Sequence, residues 1–179
     1  MNNNIQFHSG FVTIAGRPNV GKSSLMNAMI GEKISIVSNR PQTTRNRIMG
    51  VLTRKEYQIV FLDTPGIHNP KTRLGEYMMR SVHDAMDGMD CVLVILDVSH
   101  ITDNDVNIAF ELKGKRVPAV LALNKIDLVS PETILSATAK MADLGYEEII
   151  PVSAKTKNGL DELEKSLEKH LQQGPKYLD

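Results

Sequence analysis

Short apolar runs alternate along the chain with longer segments in which apolar residues recur every three or four positions. A run of four to eight apolar or β-branched residues indicates a buried strand, and a spacing of three to four indicates an amphipathic helix. Strands are predicted at residues 11–15, 47–53, 57–62, 91–96, 119–123 and 148–152. Helices are predicted at residues 23–30, about 74–86, 103–112, from Ser130 onward, and along the stripe Leu160, Leu163, Leu167 and Leu171.

This alternation of strands and helices predicts an α/β fold. We expect a sheet of about six strands, mostly parallel, with helices on both faces. The three-residue connection Arg54-Lys55-Glu56 joins two of the predicted strands, and so short a connection requires an antiparallel pair. The sheet should therefore contain one antiparallel strand.

The segment Gly16-Arg17-Pro18-Asn19-Val20-Gly21-Lys22-Ser23 fits the phosphate-binding pattern G-x-x-x-x-G-K-[ST], and it lies between a predicted strand and a predicted helix. Together with the alternating elements, this motif predicts a fold of the P-loop NTPase type. The backbone N–H groups of the loop and the helix N-terminus can bind an anion. Lys22 can reach terminal phosphates, and the Ser23 hydroxyl can bind Mg²⁺. The predicted nucleotide contacts here are Gly16, Asn19, Val20, Gly21, Lys22, Ser23 and Ser24.

Four polar or glycine positions follow directly on predicted strands: Gly16, Asp63, Asn124 and Ser153. In open α/β sheets, ligands bind beyond the carboxyl ends of the strands. The sequence therefore predicts that these four positions meet at one edge of the sheet.

Four motifs in this order resemble the Ras-like translation-factor class of GTPases: the phosphate loop, Asp63-Thr64-Pro65-Gly66, Asn124-Lys125-Ile126-Asp127 and Ser153-Ala154-Lys155. Within that class the chain resembles the Era family of bacterial ribosome-assembly GTPases. The residues that suggest this are the phosphate loop itself, Pro41-Gln42-Thr43-Thr44-Arg45 and Gly174-Pro175-Lys176-Tyr177. The resemblance extends from about residue 10 to the end.

The resemblance implies a guanine site. The Asp127 carboxylate would accept hydrogen bonds from N1–H and the exocyclic amine of guanine, whereas adenine would leave it unpaired. Asn124 would brace the loop, Lys125 would lay its stem over the base, and the Ala154 N–H would meet the guanine oxygen. Ser153 and Lys155 belong to the same motif and are predicted nucleotide contacts.

The resemblance also implies a magnesium site and two switch segments. Ser23, Asp63 and Thr44 would hold Mg²⁺, with Thr43 as the alternative to Thr44, and the Gly66 N–H would sense the γ-phosphate. The switches would span residues 33–47 and 63 to about 80. Lys22, Asn19, Thr44 and Gly66 are the predicted catalytic residues.

Two positions depart from Ras. Ile67 stands where Ras-like enzymes carry the glutamine that orients the attacking water, and the neighbouring His68 is a weak substitute, so we expect slow intrinsic hydrolysis. Asn19 resembles the asparagine of potassium-activated GTPases. It would either help to hold K⁺ against the phosphates or satisfy local backbone groups.

Composition adds few constraints. The chain of 179 residues carries 21 basic and 21 acidic residues, and its single cysteine, Cys91, lies in an apolar run and is expected in the core. No secretory signal or membrane-length apolar run is present. We expect a cytoplasmic protein, with peripheral contact at the inner face of the cell membrane left open.

We divide the chain into a flexible N-terminus at residues 1–9, a GTPase domain at 10–173, and the start of a linker at 174–179. The resemblance implies that the linker leads to a KH domain, of which no Gly-x-x-Gly loop is present here. The implied partners are GTP and GDP, and the small ribosomal subunit with its 16S rRNA, mainly through the missing KH domain. A monomer is expected.

Three alternatives remain open. A P-loop small-molecule kinase would share residues 16–23 but does not explain the motifs at Asn124 and Ser153. A sister GTPase of the same class would share all four motifs. A nucleotide-independent RNA-binding module would need a basic or aromatic face, and the chain has only four Phe, four Tyr and no Trp.

Overall fold

A computed structural model gives the structure of the chain and describes residues 6–31, 47–63, 88–113 and 117–178. The strands in these ranges are β1 His8–Ala15, β2 Arg47–Thr53, β3 Tyr57–Asp63, β4 Cys91–Asp97, β5 Ala119–Asn124, β6 Glu148–Pro151 and β7 Gln172–Gln173. The helices are α1 Lys22–Ile30, α2 Asp103–Leu112, α3 Pro131–Leu144 and α4 Leu160–Glu168, with a 3₁₀ turn at Ile126–Leu128. The predicted helix at about 74–86 lies outside the described residues.

The strands form one sheet in the order β2-β3-β1-β4-β5-β6. Neighbours in the run from β3 to β6 are parallel, and β2 is antiparallel to β3. The predicted α/β fold with its antiparallel hairpin is therefore confirmed. The additional strand β7 pairs antiparallel with His8 and Ser9 of β1 and was not predicted. Its residues, Gln172 and Gln173, are exposed and polar and carry no strand pattern.

Helices cover both faces of the sheet because alternate strand residues point to opposite sides. In β4, Leu93 and Ile95 enter a core that contains α1 and α4, whereas Val94 and Leu96 enter a second core that contains α2 and α3. Every residue of β4 is buried. A nearly unbroken apolar run is therefore what this central strand requires.

The helix ends carry ordinary capping signals. The Thr102 hydroxyl accepts from Asp105 N–H at 3.2 Å at the start of α2, and the Ser130 hydroxyl accepts from Thr133 N–H at 3.3 Å at the start of α3. Gly31 ends α1 in the left-handed conformation. The predicted leucine stripe is longer than the helix. Helix α4 ends at Glu168, and Leu171, which lies beyond that end, still packs into the core.

The predicted flexible start at residues 1–9 needs correction. Strand β1 already begins at His8, which aligns with Tyr57 of β3, and Ser9 is buried. The Phe7 carbonyl also accepts from Gly174 N–H at 3.1 Å. The ordered chain therefore starts earlier than the apolar run suggested, while residues 1–5 lie outside the described residues.

Residues 174–178, predicted to begin a linker, pack against the amino ends of β1 and β3. The Ser9 hydroxyl donates to the Pro175 carbonyl at 2.6 Å, and the rings of Phe11 and Tyr177 lie 4.7 Å apart. The buried Gln58 side chain donates to the Leu178 carbonyl at 2.6 Å and accepts from Tyr177 N–H at 2.9 Å and Leu178 N–H at 3.0 Å. We call residues 172–178 the terminal segment.

Cys91 lies in the core, as predicted, with no exposed surface. Burial, with a smaller contribution from the charge of Glu148, raises the pKa of its thiol to about 12. The thiol is therefore protonated and inert at neutral pH.

None of the helices in the described ranges is both long and apolar enough to cross a bilayer.

Replacing Gln58 by Leu should weaken the fold, because the Tyr177 and Leu178 N–H groups lose a buried acceptor. We expect the free energy of unfolding to fall by about 1–3 kcal/mol, the usual cost of unsatisfied buried polar groups. Urea denaturation followed by circular dichroism measures this, with the exposed Gln173→Leu as the matched control. Equal urea midpoints for wild type and Gln58→Leu would show that the hydrogen bonds between Gln58 and the terminal segment contribute nothing to stability.

Candidate functional site

The sheet brings the predicted site loops together at its carboxyl edge. Residues 16–21 connect β1 to α1, Asp63 is the last residue of β3, and Asn124 is the last residue of β5. Ser153 follows β6, which lies beside β5. Because these strands are parallel, their carboxyl ends share one edge, as the strand-end rule predicted.

Two glycines are needed for the backbone of the phosphate loop to fit. A Cβ at Gly16 would lie 2.8 Å from the Ile95 carbonyl oxygen, and a Cβ at Gly21 would lie 2.5 Å from Asn124 Nδ2. Gly21 is also left-handed, with φ 94°. Gly21 is the N-cap of α1 and has no side chain to cap the first turn, so N–H groups of that turn remain for an anion.

Asn124 joins three loops through one buried amide. Its Nδ2 donates to the Val20 carbonyl of the phosphate loop at 2.9 Å, and its Oδ1 accepts from Ala154 N–H at 3.3 Å. The residue is 1% exposed. The resemblance assigned the Ala154 N–H to the guanine oxygen, whereas here it donates to Asn124 at the long end of hydrogen-bonding distance.

Lys125 links the segment 124–127, which we call the base loop, to the phosphate loop and to β4. Its Nζ donates to the Asn19 carbonyl at 2.8 Å and lies 3.0 Å from Asp97 Oδ2. Both Lys125 and Asn19 adopt left-handed backbone angles, with φ 69° and 71°. Two non-glycine residues in this conformation are thus held by contact with each other.

Asp97 is a site residue that the sequence reasoning missed. Burial opposes its ionisation, but hydrogen bonds from Ser99 and Lys125 outweigh burial and hold its pKa below the ordinary value. Asp97 ends β4 at the same sheet edge. The strand-end rule that selected Asp63 and Asn124 could therefore have found it.

Ser153 orients the carboxylate of Asp127. The Ser153 hydroxyl, fully buried, donates to Asp127 Oδ1 at 2.8 Å and accepts from Thr156 N–H at 3.0 Å. Asp127 lies in the 3₁₀ turn and is exposed, so the carboxylate has one oxygen fixed and a face open to solvent. This arrangement suits an acceptor for two adjacent N–H donors.

Lys22 and Ser23 begin α1, and Asp63 at the end of β3 lies beside Lys22. Lys22 Nζ lies 3.7 Å from Asp63 Oδ1, and that buried oxygen accepts no hydrogen bond within the described residues. Ser23 is exposed at the start of α1. A hydroxyl and an unsatisfied carboxylate oxygen are donors that Mg²⁺ accepts, so these residues fit the predicted ion.

The remaining predicted residues divide into two groups. Ser24 and Lys155 are exposed, in the first turn of α1 and directly after Ala154. Thr43, Thr44, Gly66, Ile67 and His68, and with them most of both proposed switches, lie outside the described residues. Arg17 of the phosphate loop also contacts Asp105 of α2, and the sequence analysis did not predict this contact. Nothing in either residue's local sequence signals that pairing.

Residues 11–125 match the family model described as "50S ribosome-binding GTPase". The chain belongs to this GTPase family. It is 50% identical over 175 residues to GTPase Era of Clostridium acetobutylicum, a match that covers 96% of this chain and 58% of that relative. The chain therefore spans less than two thirds of the length of this relative.

Two solved structures share the fold. One is Era in complex with MgGDPNP and nucleotides 1506–1542 of 16S ribosomal RNA, with TM-score 0.78 and 35% identity, covering 97% of this chain and 60% of that one. The other is Era of Aquifex aeolicus bound to GDP and AlF4⁻, with TM-score 0.77, 35% identity and the same coverage. The predicted resemblance to Era is confirmed, and the small-molecule kinase alternative is disfavoured.

The Asp97–Lys125 contact should make stability pH-dependent. Because the pKa of Asp97 is lowered on folding, its stabilisation is complete above the unfolded value of about 3.9 and is lost as the pH falls through the lower folded value. Denaturant unfolding at a series of pH values should show wild type more stable than Asp97→Asn above about pH 5. This stability difference should shrink as the pH falls below the unfolded value of about 3.9. The exposed Asp143→Asn is the control. A stability difference between wild type and Asp97→Asn that does not change with pH would contradict the lowered pKa of Asp97.

Proposed function

We propose that this chain is the GTPase domain of an Era-type protein, which binds guanine nucleotides and hydrolyses GTP to GDP and phosphate. The observation that carries the proposal is the Asn124 amide, which bonds to the phosphate loop at Val20 and to the Ala154 loop. These contacts hold the two loops together, which supports a single site for the phosphates and the base. A kinase with only the phosphate loop would not need this connection.

The base preference rests on Asp127. Its carboxylate, oriented by Ser153, is an acceptor for the N1–H and amine of guanine, and adenine offers no matching pair of donors. Sites built on buried polar pairing reject unmatched ligands by roughly 10⁴-fold or more. Lys125, held at the phosphate loop, would lay its stem along the base.

The phosphates would lie on the backbone N–H groups of residues 16–24, with Lys22 Nζ near the terminal groups. Ser23, Asp63 and Thr44 would hold Mg²⁺, which neutralises charge on the phosphate oxygens. The relative crystallised as MgGDPNP complex supports this ion. The N–H of Gly66 would sense the γ-phosphate, and the two switch segments would respond to its loss.

Intrinsic hydrolysis would be slow, because Ile67 cannot orient the attacking water as glutamine does. Potassium is the second proposed cation. Asn19 is exposed, and its side chain carries an amide oxygen that can act as a ligand for this ion. A K⁺ ion there would place positive charge where an arginine finger acts in other GTPases.

The partners follow from the Era relatives. One of them was solved with a 16S ribosomal RNA fragment, so a role in small-subunit assembly is proposed, with most RNA contact made by a KH domain beyond this chain. A monomer in the cytoplasm, with peripheral contact at the inner face of the cell membrane, completes the proposal.

Nucleotide titrations test the base site. Wild type should bind GDP with negligible ADP binding. Asp127→Asn should shift the preference toward xanthosine diphosphate (XDP), because the C2 oxygen of xanthine suits an amide donor. Calorimetry or a fluorescent analogue measures the three dissociation constants. Asp143→Asn, an exposed carboxylate on α3, is the matched control. Comparable GDP and ADP binding by wild type would favour a kinase, and unchanged guanine selectivity in Asp127→Asn would contradict the assignment.

Phosphate release in matched K⁺ and Na⁺ buffers tests the cation. K⁺ should raise turnover about tenfold or more, which corresponds to a barrier lower by about 1.4 kcal/mol. Asn19→Ala should lose this stimulation, whereas Asn107→Ala, an exposed asparagine on α2, should keep it. Equal wild-type rates in the two buffers would remove potassium from the proposal.

A further inference from the structure

Arg17 is part of the phosphate loop, but its side chain turns away to the neighbouring helix α2. Its Nε donates to both carboxylate oxygens of Asp105 at 3.0 Å, and its Nη2 donates to the His100 carbonyl at 2.7 Å. A planar guanidinium with several fixed N–H donors suits such a contact better than a flexible ammonium does. The loop is thus tied to the connection between β4 and α2.

Asp105, which accepts the hydrogen bonds from Arg17 Nε, is held in place by burial and by the start of α2. Asp105 is 1% exposed, and it forms a capping box with Thr102: its Oδ2 accepts from Thr102 N–H at 2.9 Å, and its own N–H donates to the Thr102 hydroxyl at 3.2 Å. A carboxylate this deeply buried needs a cationic partner, because an unpaired buried charge is costly. Arg17 supplies that charge and is held in return.

Arg17 restrains the side of the loop that Asn124 and Lys125 do not reach. Those two residues hold the carbonyls of Val20 and Asn19 from the end of β5, and Arg17 anchors the loop start to α2. Asn19, one of the anchored residues, and Gly21, directly after Val20, both have positive φ. A loop held in its bound shape loses less conformational freedom when a ligand arrives, which strengthens binding.

We propose that Arg17, through Asp105, is a positioning residue for the nucleotide phosphates. It holds the loop in its anion-binding shape without touching the ligand. The proposal rests on the guanine-nucleotide site proposed above. It predicts that affinity and residence time depend on a side chain directed away from the phosphates.

Nucleotide dissociation from matched variants tests this. Arg17→Met keeps the apolar stem and removes the guanidinium, and it should weaken GDP binding about tenfold or more, with most of the change in the dissociation rate. Arg17→Lys should fall between wild type and Arg17→Met. Arg54→Met is the control, because Arg54 also pairs with a carboxylate, Glu164 at 2.7 Å, but at the opposite edge of the sheet.

A second variant separates positioning from charge burial. Arg17→Met combined with Asp105→Asn leaves no unpaired buried charge and keeps a side-chain oxygen that can accept from Thr102 N–H. If Arg17 positions the loop, this double variant regains stability without nucleotide but still releases GDP fast. Recovery of wild-type affinity, or unchanged GDP dissociation in Arg17→Met at a temperature where it is folded, would overturn the proposal. Failure of wild type to bind GDP would instead overturn the proposed function.

Discussion

The site depends on one buried amide. Asn124 accepts at one end and donates at the other, so its loss would leave both the Val20 carbonyl and the Ala154 N–H without that partner. The bond can form because β1 and β5 flank β4, which places the start of the base loop over the phosphate loop. A glycine at position 21 is then obligatory, since a Cβ there would collide with this amide.

Backbone strain is concentrated where these loops meet. Asn19 and Lys125 are both left-handed, a conformation that costs a non-glycine residue roughly 1–2 kcal/mol, and each contacts the other. Two carboxylates support the arrangement from behind: Asp97 holds Lys125, and Asp105 holds Arg17. The unfavourable backbone angles of Asn19 and Lys125 are thus compensated by ionic contacts of neighbouring side chains with Asp97 and Asp105.

Several parts of this arrangement could be predicted from local pattern. The strand at Cys91 and the capped helix at Thr102 were predictable because full burial requires an apolar run and a helix start requires a cap. Strand β7 was not, because Gln172 and Gln173 have polar, exposed side chains. They pair with β1 only because β4 joins β1 from Val12 onward and leaves His8 and Ser9 uncovered on that side.

The sequence by itself determined the fold class, the phosphate loop and the edge of the sheet at which the site motifs meet. These depend on short-range requirements: glycine where a side chain cannot fit, and polar residues where buried strands end. Only the tertiary structure decided that Arg17 pairs with Asp105, 88 residues away, and that Lys125 pairs with Asp97. Side-chain pairing across the sheet depends on how neighbouring strands are juxtaposed, and no local pattern encodes that placement.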